Sequence, residues 1–203
     1  MNFDLRKYVI AAFLTVLVWI LALTPLGYIP LFGIDVTILC IPIIIGTCAL
    51  GLQYGLFLGL MFALTSLFMA LMGRGGGLLA PLLDFPLILY PMIFVPRLLI
   101  PLVTWFAFKA TSKWNQWVSF GVSALVGSFV NTIFFLGMAY GLGAKPLMEA
   151  YGMSGAELMR TLGSIVVSNG LPEAAVAVLV CAPALVFLTK MLAEQGEEDA
   201  EQE

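Results

Sequence analysis

Histidine is missing altogether from these 203 residues, and with it go the usual base of Ser-His and Cys-His hydrolases and the zinc-binding HExxH helix. Charge is nearly as scarce. Asp, Glu, Lys and Arg make up 10% of the chain against 62% hydrophobic residues, a balance outside that of water-soluble domains. No basic patch interleaved with aromatics stands outside the apolar runs, so nucleic acid is excluded as a partner. The only cysteines, Cys40, Cys48 and Cys181, lie inside apolar runs where a thiol packs as a small hydrophobe. Neither disulfides nor a metal site is expected, and no cofactor.

What the chain does have is apolar length. A bilayer-spanning helix takes about 20 apolar residues, and the runs here predict an all-α integral membrane protein of about six such helices, packed as one domain over 1–193. Beyond it, Glu194, Glu197, Glu198, Asp199, Glu201 and Glu203 crowd into an acidic segment, 194–203, expected to be a disordered, solvated tail. Arg6 and Lys7 precede an apolar stretch that ends at Thr24-Pro25-Leu26-Gly27 without a small-x-small cleavage pattern, so this stretch reads as a retained first helix over 8–24.

Proline and glycine divide the rest. A broken loop through Gly27, Pro30, Gly33 and Asp35 leads to a second helix over 36–52, and the short turn Gly51-Leu-Gln-Tyr-Gly55 sends a third back beside it over 54–72. Prolines then recur every fifth residue, at Pro81, Pro86, Pro91, Pro96 and Pro101. Each interior proline deletes a backbone hydrogen bond, so the segment is expected to divide into an extended or re-entrant part to Pro86 and a kinked fourth helix over 87–109. Broken backbone at membrane depth is tolerated where it is buried in protein or lines a cavity, which makes this segment a first pointer to a binding site. Trp105, Trp114 and Trp117 flank a polar connection of the kind found at a water interface. A fifth helix over 117–142, a loop over 144–157 and a sixth helix over 158–192, interrupted at Gly170-Leu-Pro172 and at Pro183, complete the chain. Six crossings put both termini on one side with Arg6, Lys7, Lys109, Lys113 and Lys190, against Arg74, Lys145 and Arg160 on the other; the positive-inside rule makes the first side cytoplasmic.

The residues able to carry chemistry are few. Arg97 lies about 15 Å of helix rise from residue 87, near mid-membrane, where a charge needs a partner or a wet cavity. Asn131, Asn169 and Glu173 come to comparable depth from the fifth and sixth helices. A buried Arg97–Glu173 ion pair and a site in which Arg97, Asn131 and Asn169 hold an anionic or hydroxylated ligand are both compatible with this set. Asp35 and Asp84 fall in outward segments, either as exposed turn carboxylates or as ligand contacts. The segment Gly73-Arg-Gly-Gly-Gly77 follows a helix rather than a strand and lacks Gly-Lys-Ser/Thr, so it reads as a lid or hinge instead of a phosphate loop. In the first helix Ala11 and Thr15, with Ala12 beside them, form a small-residue face fit for close helix contact, inside the bundle or with another protein.

Taken in order, Thr24-Pro-Leu-Gly-Tyr-Ile-Pro-Leu-Phe-Gly33, Ile41-Pro-Ile-Ile-Ile-Gly46, Leu50-Gly-Leu-Gln-Tyr-Gly-Leu-Phe-Leu-Gly-Leu60, Phe94-Val-Pro-Arg-Leu-Leu99, Val130-Asn-Thr132 and Ser168-Asn-Gly-Leu-Pro-Glu173 resemble the substrate-binding S components of energy-coupling factor (ECF) vitamin transporters. The resemblance spans nearly all of the chain except the acidic tail. It implies a six-transmembrane-helix bundle with cytoplasmic termini in a bacterial or archaeal plasma membrane. Such a protein takes a vitamin from outside through its outer loops and the outward halves of helices 4 to 6, and works with a transmembrane coupling subunit and two ATPases that hydrolyse the ATP. The family's first helix carries an Ala-xxx-Ala docking surface, from which Ala11-xxx-Thr15 departs by one residue. Within the family the pattern is most similar to the pantothenate branch, and pantothenate's carboxylate, hydroxyls and amide suit Arg97 and the two asparagines; folate or riboflavin is the alternative. Two other classes remain from the residues alone. A stand-alone secondary carrier would use Arg97 and Glu173 but lacks the expected internal repeat, and a histidine-independent membrane enzyme would need more than Glu173.

Overall fold

The computed structural model describes the backbone of residues 3–24, 28–31, 34–73, 78 and 80–200, and the side chains of 5–24, 38–73, 78 and 80–194. Helix α1 (Phe3–Leu23) is followed by a two-stranded antiparallel hairpin, β1 (Tyr28–Leu31) and β2 (Ile34–Thr37), in which Tyr28 pairs with Thr37 and Pro30 with Asp35. Next come α2 (Ile41–Leu50), α3 (Leu52–Leu71), a 3₁₀ turn at Ala80–Leu82 and α4 (Pro86–Ala110). Helices α5 (Gln116–Gly141), α6 (Ala144–Tyr151) and α7 (Gly155–Ile165), a π turn at Val166–Gly170 and α8 (Leu171–Ala200) complete the order, so helix enters the acidic terminal segment.

Among the described residues five helices are long and apolar enough to cross a membrane: Leu5–Leu23, Leu52–Leu71, Pro86–Ala110, Gln116–Gly141 and the composite Gly155–Glu194. The bundle expected from the sequence is present, with one correction. Its second member is only 10 residues long, which is about 15 Å of rise against a hydrocarbon layer of about 30 Å. Residues 36 and 37, expected to be helical, instead close the β-hairpin, where β-branched Ile34, Val36 and Thr37 suit a strand. Pro42, in the first turn, fits a helix that begins only at Ile41.

The Tyr8 ring meets the Tyr54 ring edge-on at 6.1 Å, so the α2–α3 turn lies level with the start of α1. Gly51 makes that turn at φ 106°, a left-handed conformation that costs glycine little. Helix α2 covers only about half a bilayer's thickness from this end, and β2, which precedes it, packs against the π turn and α8. The α4–α5 turn lies at the terminus end too, closed by Phe108 stacked on Phe120 at 5.4 Å and by Asn115, whose Oδ1 accepts from Trp117 N–H at 2.9 Å. At the opposite end the 144–157 segment, expected to be a loop, contains α6, which buries Leu147 and ends at Gly152 with φ 63°. A reciprocal Ser154–Glu157 capping box then starts α7. The π turn falls where the sixth helix was expected to break. Pro172 has no N–H for the carbonyl four residues earlier, and just before it Leu171 N–H bonds to Val166 O, five residues back.

Two apolar cores result. One gathers α1, α2, Leu58, Phe62, Ile100, Phe120 and the Ala177–Leu185 face of α8. The other gathers Ala63, Ala70, Leu82, Leu89, Ile93, Leu136, Leu147 and Leu162 at the opposite end. Glycines on α3 let α4 approach both: a Cβ on Gly59 would stand 2.7 Å from the Arg97 carbonyl oxygen, whereas one on Gly137 would meet open space. Gly59→Val is therefore expected to destabilise the fold by about 1–3 kcal/mol, the range of overpacked cores. Gly137→Val serves as the neutral control, both read as melting temperatures in detergent.

Candidate functional site

Helix α4 turns one stripe inward, through Leu89, Met92, Ile93, Pro96, Arg97, Ile100, Pro101 and Thr104, the spacing of a single helical face. Arg97 sits at the middle of it, about 16 Å of rise from Pro86 and about 20 Å from Ala110. It is 8% exposed. Along α4 its neighbours on the stripe divide between the two cores, Ile93 in one and Ile100 in the other. The guanidinium carbon is 4.7 Å from the centre of the Phe135 ring on α5 and 5.2 Å from that of Phe62 on α3, and Nη1 donates to Met92 O at 3.5 Å. A cation between two aromatic rings gains from their electron-rich faces and keeps its planar fork of donors edge-on.

Asn131 precedes Phe135 by one turn on the same face of α5. Its Oδ1 is buried and accepts no hydrogen bond. The next residue, Thr132, packs on the π turn so closely that a Cβ on Gly170 would lie 3.1 Å from Thr132 Cγ2. Asn169, in that turn, accepts from Ser168 Oγ at 3.3 Å. The two asparagines thus come to one junction between α5 and the π turn, although 38 positions separate them in sequence. Glu173 is 6% exposed and lies beside the Cys40 thiol, where Ser128 also approaches, at the start of α2. Arg97 thus lies between the two apolar cores with Asn131 one turn from its Phe135 neighbour, while Asn169 falls in the π turn and Glu173 in the first turn of α8.

The carboxylates expected in outward segments behave differently. Asp84 is exposed in the turn after Ala80–Leu82, short of α4. The Asp35 backbone is paired in the hairpin, but its side chain, like residues 74–77 of the expected lid, lies outside the described residues. Residue-by-residue reading of the sequence passed over Phe62, Phe135, Ser128 and Gly59. For Phe135 a signal existed, its four-residue offset from Asn131; Phe62 had none among 15 phenylalanines.

A second feature lies on the surface of α1 and α3. Ala11, Ala12 and Thr15 face Gln53, Tyr54 and Phe57 across an apolar groove of about 640 Å³. Ala11 is buried in its floor, whereas Ala12 is exposed. Thr15 Oγ1 donates to Ala11 O at 2.7 Å, so its hydroxyl is satisfied within the helix.

Residues 6–185 match the model of the ECF transporter, substrate-specific component, family. The chain belongs to that family. No curated protein matches it. As a substrate-specific component it is a multi-pass membrane transport subunit, with a small-molecule substrate and the ECF module as partners. Polar groups buried within its helices include Arg97, Glu173, the Asn131 oxygen and the Thr104 and Ser128 hydroxyls.

The orphaned Asn131 oxygen gives a direct test of whether this residue serves stability. Removing a buried acceptor that has no donor is neutral or stabilising. Asn131→Leu is accordingly expected to leave the melting temperature of the ligand-free protein unchanged or raised; a marked fall would make Asn131 a structural residue.

Proposed function

We propose that this substrate-specific component captures a water-soluble anionic vitamin, pantothenate, from the outer side of a bacterial or archaeal plasma membrane. The observation that carries the reading is the Arg97 guanidinium, buried at mid-bundle against Phe62 and Phe135, the latter one helical turn from Asn131 with its unpartnered oxygen. A charge kept at this depth on protein aromatics is a recognition group for an anion. Pantothenate offers a carboxylate for a charge-assisted bond to Arg97 and hydroxyl and amide groups for Asn131, Asn169 and Glu173. In this reading Asp35 and Asp84 belong to the mouth of the site.

The termini face the cytoplasm. Arg6, Lys7, Lys109, Lys113 and Lys190 collect at the terminus end of the bundle, and Lys145 and Arg160 at the other. The hairpin, the 3₁₀ turn, α6 and α7 then surround the outer approach. The groove between α1 and α3 receives the transmembrane coupling subunit, because small residues on a lipid-facing helix permit close approach of another helix. Two separate ATPase subunits supply the energy.

A panel of water-soluble vitamins tested by thermal shift decides the substrate, since a ligand bound only to the folded state raises its apparent stability. A selective rise with pantothenate is expected; a rise with folate or riboflavin alone would replace it, and no rise with any would remove the vitamin-binding role. Arg97→Gln is expected to weaken pantothenate about 10- to 100-fold, the worth of one or two hydrogen bonds to a charged group, with an unchanged melting temperature in the absence of ligand. Ala12→Trp, which fills the groove from an exposed position, should spare ligand binding and abolish co-purification with the coupling subunit. Normal co-purification would sink the groove as a docking face.

A further inference from the structure

Helix α4 carries Pro96 and Pro101 on the same buried stripe as Arg97, and the coincidence has a chemical consequence. A proline has no N–H for the carbonyl four residues before it. Pro96 therefore withholds the helical bond from Met92 O, and Pro101 withholds it from Arg97 O. In hydrocarbon neither carbonyl has water as a substitute donor. Each meets something else. Arg97 turns its side chain back along the helix, the direction helical side chains favour, and its Nη1 donates to Met92 O at 3.5 Å. Gly59 closes on Arg97 O, where any Cβ would stand 2.7 Å away, a distance at which only a Cα–H can face the oxygen.

We infer that Pro96 is a positioning residue for the ligand site: by freeing the Met92 carbonyl it creates the acceptor that folds the Arg97 guanidinium back between Phe62 and Phe135. The inference rests on the reading that Arg97 holds the ligand's anionic group. The Phe62 and Phe135 rings contact the guanidinium, and the hydrogen bond to Met92 O fixes one of its edges. A guanidinium has five N–H donors in a fork, so one edge can be tethered to the protein while another meets a carboxylate. Any residue other than proline at this position returns an N–H to Met92 O, which then has its ordinary helical partner, and the tether competes with it. Helix α4 would be more regular and the site less ordered.

The test is Pro96→Ala in the full-length protein, with two readouts. The first is a high-resolution structure in lipid nanodiscs without ligand: the backbone N–H that the substitution restores is expected on Met92 O with the guanidinium displaced, and a guanidinium still on Met92 O overturns the inference. The second is pantothenate affinity, measured into the millimolar range for the wild type, Pro96→Ala, Arg97→Gln and the double variant. Pro96→Ala is expected to weaken binding about tenfold, the scale of the rotamer entropy of an arginine that must be ordered anew. In the Arg97→Gln background the same change is expected to have no further effect, and the ligand-free melting temperature should hold or rise. Losses that add in the double variant, or a fall in melting temperature alongside weaker binding, would show that Pro96 acts through general helix shape and overturn its role as a tether. If Arg97→Gln leaves affinity intact, or the wild type ignores pantothenate, the anion-site reading or its substrate fails on its own, and the structure of Pro96→Ala still decides the tether.

Discussion

A charged guanidinium at the middle of a hydrocarbon layer costs at least a few kcal/mol unless the protein supplies its surroundings, and the layering of this bundle follows from that constraint. Arg97 lies too deep to reach an interface by extending its side chain. Among the described residues its environment includes Phe62 from α3, Phe135 from α5 and the Met92 carbonyl from its own α4. The apolar core accordingly divides in two, one cluster on each side of Arg97.

Backbone irregularities gather near this depth as well. α4 has Pro96 and Pro101 in its inward stripe, α8 is preceded by a π turn where Pro172 cannot donate, and α2 begins only halfway up the bundle after a β-hairpin. Unpaired backbone groups are intolerable against lipid but can be met inside a protein. The Met92 carbonyl is met by the Arg97 side chain, and Gly59 closes on the Arg97 carbonyl.

Helix α3 connects the two surfaces of interest. Gln53, Tyr54 and Phe57 line the groove shared with α1, while Gly59 and Phe62, within about two turns, touch the Arg97 backbone and guanidinium. Helix α3 packs through Gly59 against the fourth helix. The α1–α3 groove and the surroundings of Arg97 thus share one helix.

Much of this was legible in the chain itself. Apolar runs of bilayer length specify the spans because lipid leaves a helix few alternatives, and a lone arginine in such a run marks a site because its cost must be met. The order of motifs led to the right family, now carried by a match over residues 6–185. The small-residue pattern at Ala11, Ala12 and Thr15 marked the face on which a groove is found. Local pattern could not show that residues 36 and 37 would pair with 28 and 29 rather than extend α2, since β-branched apolar residues suit a strand and a buried helix equally and only a partner strand decides. Nor could it select Phe62 and Phe135 from the other phenylalanines, because what distinguishes them is a distance to Arg97 across helices far apart in sequence. Composition and spacing determined that this protein lives in a membrane and must house a charge there; which side chains and which orphaned carbonyl receive that charge was decided by helix packing, the one level at which residues distant in the chain come within a few ångströms.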